Sequence, residues 1–160
     1  MESRYITTES LTVLLDRLER QFAVYVPVRR SGRRVYARYE VGGFEGRNGG
    51  EGAMVVGEVR AVEPLKAFFF RGRQKVAEDF RDAVPGSDER PLCLVGVKAC
   101  DLAGLPVLDA VFAGPDYRDP LYMQARGRAL ILAADCTSTL ESCFCLTLGQ
   151  PPYPPVSYTH

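Results

Sequence analysis

Apolar residues recur at helical spacing near the start of the chain, and charged residues occupy the positions between them. The apolar positions of this run are Leu11, Leu14, Leu15, Leu18 and Phe22. Residues 7–10 supply threonine and serine side chains that can cap a helix directly before it. The spacing predicts an amphipathic N-terminal helix that buries one apolar stripe.

The next segment changes to the alternation that is typical of strands. Val24, Val26 and Val28 alternate with their neighbours, and residues 35–39 form a second such run. Between the two runs lies a Ser31-Gly32 turn. The pattern therefore predicts a β-hairpin.

The middle of the chain gives weaker signals. Residues 42–52 are rich in glycine and predict a flexible loop. Of the three consecutive phenylalanines at residues 68–70, we expect at least two in the core, because each buried ring contributes roughly 1.5–3 kcal/mol. Residues 74–80 are weakly helical.

The second half has the order strand, helix, strand. Leu92–Val97 and residues 129–134 are short, unbroken apolar runs, and residues 102–112 have helical spacing, with Pro106 expected near the start of the helix. This order predicts a βαβ unit with parallel, neighbouring strands. We expect an α/β fold with a mixed sheet, flanking helices, and the N-terminal helix and hairpin, in a single domain over residues 1–155.

Length and charge narrow the class of protein. The 160 residues are enough for one domain, and twenty basic residues balance twenty acidic ones. We therefore expect no binding to nucleic acid or to a membrane surface. Residues 1–20 lack the features of a secretory signal, and no apolar run approaches the ~20 residues that span a bilayer. The expected location is the cytoplasm.

Four cysteines are the candidate functional residues. Cys100 and Cys136 each follow a predicted parallel strand, and functional groups gather beyond the carboxyl ends of such strands. Cys143 and Cys145 point the same way if their segment is extended. Four thiolates are the number that a 4Fe-4S cluster or a tetrahedral zinc ion needs. Cys93, inside an apolar strand, is expected in the core.

Two other interpretations of these residues stay open from the sequence. Buried cysteines without any ligand are one of them, since free cysteine is among the most buried residue types. Nucleophilic catalysis is poorly supported, because the single histidine is His160, and no catalytic residue is identified. Asp101 is expected to cap a helix rather than to act as a base.

An ordered series of motifs resembles a known family. The series is Pro64-Leu65-Lys66, Phe68-Phe69-Phe70, Gly96-Val97-Lys98-Ala99-Cys100-Asp101-Leu102, Leu108-Asp109-Ala110-Val111-Phe112, Cys136 and Cys143-Phe144-Cys145. It is similar to the amino-terminal half of the beta subunit of NiFe sulfhydrogenases and of the corresponding iron–sulfur subunit of anaerobic sulfite reductases.

This resemblance implies an iron–sulfur subunit of an oxidoreductase complex. Such subunits pass electrons between a flavin-bearing subunit, which binds NAD(P), and a hydrogenase or sulfite reductase catalytic subunit. The family's two ferredoxin-type 4Fe-4S clusters belong to the carboxyl-terminal half, which this chain lacks. Cys100, Cys136, Cys143 and Cys145 match the family pattern and are the candidate ligands of a further 4Fe-4S cluster. The alternatives are a docking domain without redox chemistry and a zinc-stabilised module.

The last five residues are interpreted separately. Residues 156–160 match the translation of part of a transposon mosaic end that is used as a sequencing adapter. We expect them to be foreign to the protein, so that the chain is a fragment of a longer subunit.

Overall fold

A mixed sheet organises the protein, in a computed structural model that describes residues 6–43, 50–70, 77–78, 81–82 and 90–154. The α-helices are α1 (Thr8–Glu19), α2 (Lys66–Phe69), α3 (Ala99–Leu102), α4 (Leu105–Phe112) and α5 (Pro120–Gly127). The strands are β1 (Ala23–Arg30), β2 (Arg33–Arg38), β3 (Ala77–Glu78), β4 (Arg81–Asp82), β5 (Leu92–Val97) and β6 (Leu130–Ala133), and a 3-10 helix spans Leu146–Leu148. No described helix has the length and apolar character needed to cross a membrane.

The main sheet has four strands in the order β2-β1-β5-β6. β1 and β2 are antiparallel and form the predicted hairpin, whose turn residues Ser31 and Gly32 both have positive φ. β5 is parallel to β1 and also to β6. The α/β fold, the mixed sheet and the βαβ unit are therefore confirmed.

The short pair β3 and β4 forms a separate antiparallel sheet. The weak helix expected over residues 74–80 is thus wrong at Ala77–Glu78, where the chain is extended and paired. The rest of that segment lies outside the described residues, as do residues 44–49 of the predicted loop and residues 156–160.

Helix α1 covers one face of the sheet. Its cap is Thr7, whose side-chain oxygen accepts a hydrogen bond from the Ser10 amide at 3.1 Å. Leu15 is fully buried against the strands, where it meets Val26 and Cys93. The position of Cys93 in the core is confirmed. Leu14 does not belong to the buried stripe, because its place in the helical period leaves it 38% exposed.

Helices α2 to α5 cover the opposite face. Leu94 and Val97 of β5 pack there with buried side chains of the helices, namely Leu65, Phe69, Leu102, Leu105 and Tyr122. Of the three phenylalanines, Phe69 is buried, Phe68 packs at the edge of this cluster and Phe70 is largely exposed. Pro106 lies in the first turn of α4, as predicted, although the expected helix is divided into α3 and α4.

Gly96 shapes the end of β5. Its φ is +76°, and the register between β5 and β6 shifts between Val95 and Val97. A Cβ atom at Gly96 would lie 2.9 Å from Cγ of Pro27 on β1. Glycine is therefore required both by the backbone conformation and by the close approach of β1. Beyond this irregularity β5 and β6 pair again at Val97 and Ala133.

We predict that Gly96→Ala lowers the free energy of unfolding by more than about 1 kcal/mol, because alanine fits neither the positive φ nor the space. Chemical denaturation measures the change. Gly127→Ala is the matched control, since no atom lies within 4 Å of the added Cβ there. Equal stability of the two variants would contradict the close approach at Gly96.

Candidate functional site

Two of the predicted cysteines lie at one edge of the sheet. Cys100 is in α3, directly after β5, and Cys136 follows the end of β6 by three residues. Because β5 and β6 are parallel neighbours, their carboxyl ends meet at the same edge. Both side chains are half-buried. The predicted shared edge is confirmed.

A buried lysine lies between these two segments. Lys98 is 2% exposed, and no other charged residue in the described part of the chain is buried. Its Nζ donates hydrogen bonds to the carbonyl oxygens of Val56 at 2.6 Å and Asp135 at 2.7 Å. The ammonium group therefore joins the end of β5, the segment after Ala53 and the loop after β6.

The loop that holds Cys136 is fixed on both sides by backbone contacts. The amide and hydroxyl groups of Thr137 both donate to the carbonyl oxygen of Gly57, each at 2.8 Å. The amide of Cys136 donates to the carbonyl oxygen of Pro152 at 3.3 Å. A Cβ atom at Gly57 would lie 3.1 Å from two side-chain atoms of Thr137. The position of Cys136 thus depends on close packing between Gly57 and Thr137.

Cys136 lies in the electrostatic field of its neighbours. Burial raises the pKa of its thiol, the Lys98 ammonium lowers that pKa, and the negative charges of Cys143, Cys145 and Asp101 raise it. A like-charge effect of this kind requires groups near one another. The pKa of the Cys136 thiol is therefore influenced both by the sheet edge and by the Cys143–Cys145 segment.

Cys100 has a similar environment. Burial raises the pKa of its thiol, and so do the negative charges of Asp101 and Cys136, whereas the Arg60 guanidinium lowers it. Asp101 is not the expected helix cap, because the helix begins earlier and its cap position is Lys98. Instead, the Asp101 carboxylate forms an ion pair with Arg60 at 3.5 Å.

Cys143 and Cys145 lie in a turn and not in an extended segment. Cys145 has helical dihedral angles and caps the 3-10 helix Leu146–Leu148. The i, i+2 argument for a shared direction is therefore wrong. The Leu140 amide donates a hydrogen bond to Sγ of Cys143 at 3.2 Å. Backbone N–H donors to sulfur are one of the factors that set the potential of an iron–sulfur cluster.

The four thiols are not arranged as a finished metal site. In residues 6–43, 50–70 and 90–154, no three His, Cys, Asp or Glu side chains form a group that could hold a metal ion. The assignment of Cys100, Cys136, Cys143 and Cys145 as cluster ligands remains a prediction.

From the sequence, Lys98 was not singled out as a residue of this site. A signal was present, since Val97 and Ala99 on either side of it are apolar and it directly follows a strand predicted to be buried. The contact between Thr137 and Gly57 could not be predicted from the sequence pattern, because it joins segments that are far apart along the chain.

Comparison with known proteins gives a relative among hydrogenase subunits. The chain is 30% identical over 149 residues to the protein named Sulfhydrogenase 2 subunit beta of Pyrococcus furiosus. The chain resembles the sulfhydrogenase beta subunit. The similar region covers 91% of this chain and 41% of the relative's length, and the predicted resemblance is confirmed. No protein-family model matches the chain. No solved structure matches it.

We predict that the cysteines differ sharply in reactivity. Burial raises the pKa of the Cys93 thiol to about 11, and the side chain is fully enclosed. At pH 8 iodoacetamide should therefore leave Cys93 unmodified in the native protein, because the thiolate is the reactive form. The exposed Cys143 should be alkylated, and all five cysteines should react after unfolding. Peptide mass spectrometry reads the sites, and equal labelling of Cys93 and Cys143 in the native state would contradict the core position.

Proposed function

We propose that this chain is part of an iron–sulfur electron-transfer subunit. In this proposal Cys100, Cys136, Cys143 and Cys145 hold a 4Fe-4S cluster at the carboxyl edge of the sheet. The observation that supports it best is that Cys100 and Cys136 follow the carboxyl ends of β5 and β6, which are parallel neighbours in the sheet.

The residue types of the proposed donor set, although not the described arrangement of the thiols, match this cofactor. Four cysteine thiolates are the usual ligands of a 4Fe-4S cluster, and each binds a different iron atom. A single zinc ion instead holds its four sulfurs about 2.3 Å from one centre. The Leu140 amide donates a hydrogen bond to Sγ of Cys143, and the Lys98 ammonium would place positive charge beside an anionic cluster. A bound cluster would accept and release one electron at a time.

The partners follow from the relative and from the resemblance. The relative is named as a subunit, so we propose that this chain also works in a complex. Within it, the protein relays electrons between a flavin-bearing subunit, which binds NAD(P), and a hydrogenase or sulfite reductase catalytic subunit in the cytoplasm. Residues 1–155 are one domain of a longer polypeptide in this proposal, since the chain spans 41% of its relative.

Anaerobic purification tests the cofactor. The protein should be brown and contain about four irons per chain, as one 4Fe-4S cluster requires. Cys136→Ala should lose most of the iron, because it removes one of the four proposed ligands. Iron analysis and visible absorbance measure both properties.

Cys93→Ala is the matched control, since it removes a thiol that is fully buried in the core, away from the proposed ligands. It should keep its iron while losing stability through the smaller side chain. Colourless protein with one zinc per chain would contradict the cluster and show that the chain is a zinc-stabilised module. Protein without any metal would contradict the cluster and favour the docking function instead.

Exposed apolar side chains favour a docking function as the second candidate. Near Cys143 and Cys145 the large exposed side chains are Leu140, Phe144, Leu146, Leu148 and Tyr153. Apolar surface of this kind is typical of a region that another polypeptide covers. The occupant that we propose is another subunit of the complex, because the relative is itself named as a subunit.

We predict that the isolated protein self-associates through this surface. Sedimentation should show that replacement of Leu146 and Leu148 by serine decreases the self-association. The matched control replaces Val107 and Val111, two exposed valines of α4, by serine and should leave it unchanged. A stable monomer at high concentration before any substitution would count against the docking surface.

A further inference from the structure

The two edges of the main sheet differ in how they are covered. In the described part of the chain the strand order is β2-β1-β5-β6, so β2 and β6 are the edge strands. On β2 the outward groups have partners. The Val62 amide donates to the Arg34 carbonyl oxygen at 2.9 Å, and the Tyr36 amide donates to a carboxylate oxygen of Glu63 at 3.1 Å. The edge at β2 is therefore closed by the segment that contains Val62 and Glu63.

The strand at the opposite edge has the composition of an interior strand. β6 contains two leucines, one isoleucine and one alanine, without the charge or proline that usually protects a free edge. Leu130 and Leu132 pack toward one face of the sheet, and Ile131 packs toward the other. Apolar side chains on both faces are typical of strands that lie inside a parallel sheet. The sequence of β6 thus fits a strand with neighbours on both sides.

One hydrogen bond shows which backbone groups of β6 are free. The Ala134 amide donates to the carbonyl oxygen of Val97 on β5 at 3.0 Å. Successive residues of a strand direct their N–H and C=O groups to alternate sides in the plane of the sheet. The groups of Leu132 therefore also face β5, whereas those of Ile131 and Ala133 face away from it. Among the described residues, no acceptor contacts either of these two outward amides.

We propose that a further β-strand of the same polypeptide, from beyond residue 160, pairs with the free edge of β6 and extends the sheet. This proposal rests on the part of the proposed function in which the chain belongs to a longer polypeptide. The matched region is 41% of the relative's length, so more than half of the relative lies outside it. A strand needs only about five residues, so the remaining length is ample.

The course of the chain favours the same polypeptide over another subunit as the source of this strand. β6 is parallel to β5, and β5 is parallel to β1. Consecutive strands of such sheets are usually neighbours, and the connection between them starts at the carboxyl end of the first strand. In this chain residues 134–154 leave from that end of β6 and contain no further strand. The next strand of a continuing polypeptide would therefore lie beside β6.

Amide hydrogen exchange, followed by NMR on this chain and on the complete subunit, tests the proposal. In this chain the outward amides of Ile131 and Ala133 should exchange faster than those of Leu132 and Ala134. In the complete subunit the two outward amides should exchange at least about tenfold more slowly than in this chain, because opening of the paired strand is then required. The Leu132 amide is the internal control and should change little.

A proline substitution gives a second, independent measurement. Proline has no N–H, so a strand accepts it only where that side of the backbone has no neighbour. Ala133→Pro should leave the denaturation midpoint of this chain nearly unchanged but lower that of the complete subunit. Leu132→Pro is the matched control. It removes a hydrogen bond to β5 and should lower both midpoints.

Other occupants of the edge give different results. Slow exchange of the outward amides in this chain alone, lost on dilution, would assign the edge to a second copy and overturn the proposal. Slow exchange that appears only after other subunits are added would assign it to one of them, with the same consequence. Slow exchange in the complete subunit by itself supports the proposal.

The outcomes also separate this proposal from the cluster. If this chain binds iron while the outward amides of the complete subunit exchange rapidly, the added strand is wrong and the cluster stands. If this chain is colourless while those amides are protected in the complete subunit, the added strand stands and the cluster is wrong.

Discussion

The parallel pairing of β5 with strands on both of its sides is the constraint on which the rest of the structure depends. β5 pairs with β1 through Ala23↔Leu92 and with β6 through Cys93↔Leu130. Every residue from Cys93 to Val97 is buried, because helices cover both faces of this central strand. A strand enclosed in this way has a fixed register, since a slip of one residue would exchange its two faces. The carboxyl ends of β5 and β6, and the cysteines that follow them, must therefore lie together.

Along its length β1 changes the segment to which it is hydrogen-bonded on the β5 side of the sheet. β1 pairs with β5 only near its start, and further along it bonds to the segment after Gly52. There the Arg29 amide donates to the Ala53 carbonyl at 3.0 Å, and the Val55 amide donates to the Pro27 carbonyl at 2.9 Å. At Gly96 the register between β5 and β6 shifts, and the two strands pair again at Val97 and Ala133. The carbonyl oxygens that accept hydrogen bonds from Lys98 and Thr137 belong to chain segments far apart in sequence.

Local pattern explains why much of the fold could be predicted from the sequence. The hairpin, α1 and the βαβ unit each follow from the spacing of apolar residues within one short segment. The partners of Lys98 could not be predicted, because Val56 and Asp135 lie 42 and 37 residues away along the chain. The capping prediction for Asp101 failed for a related reason. Its side chain has a partner in Arg60, which comes from a distant loop.

The exposure of the cysteines bears on both proposed functions, electron transfer and docking. Cys93 is enclosed in the core, Cys100, Cys136 and Cys145 are half-buried, and Cys143 is exposed. The exposure of the cysteines therefore increases from the sheet edge to Cys143, and Phe144, Leu146 and Leu148, which follow Cys143 in the sequence, are also exposed. A subunit that covers these side chains would also exclude water from Cys143. Because solvent exposure is one of the factors that set the potential of a cluster, docking and redox chemistry would then be physically coupled at this edge.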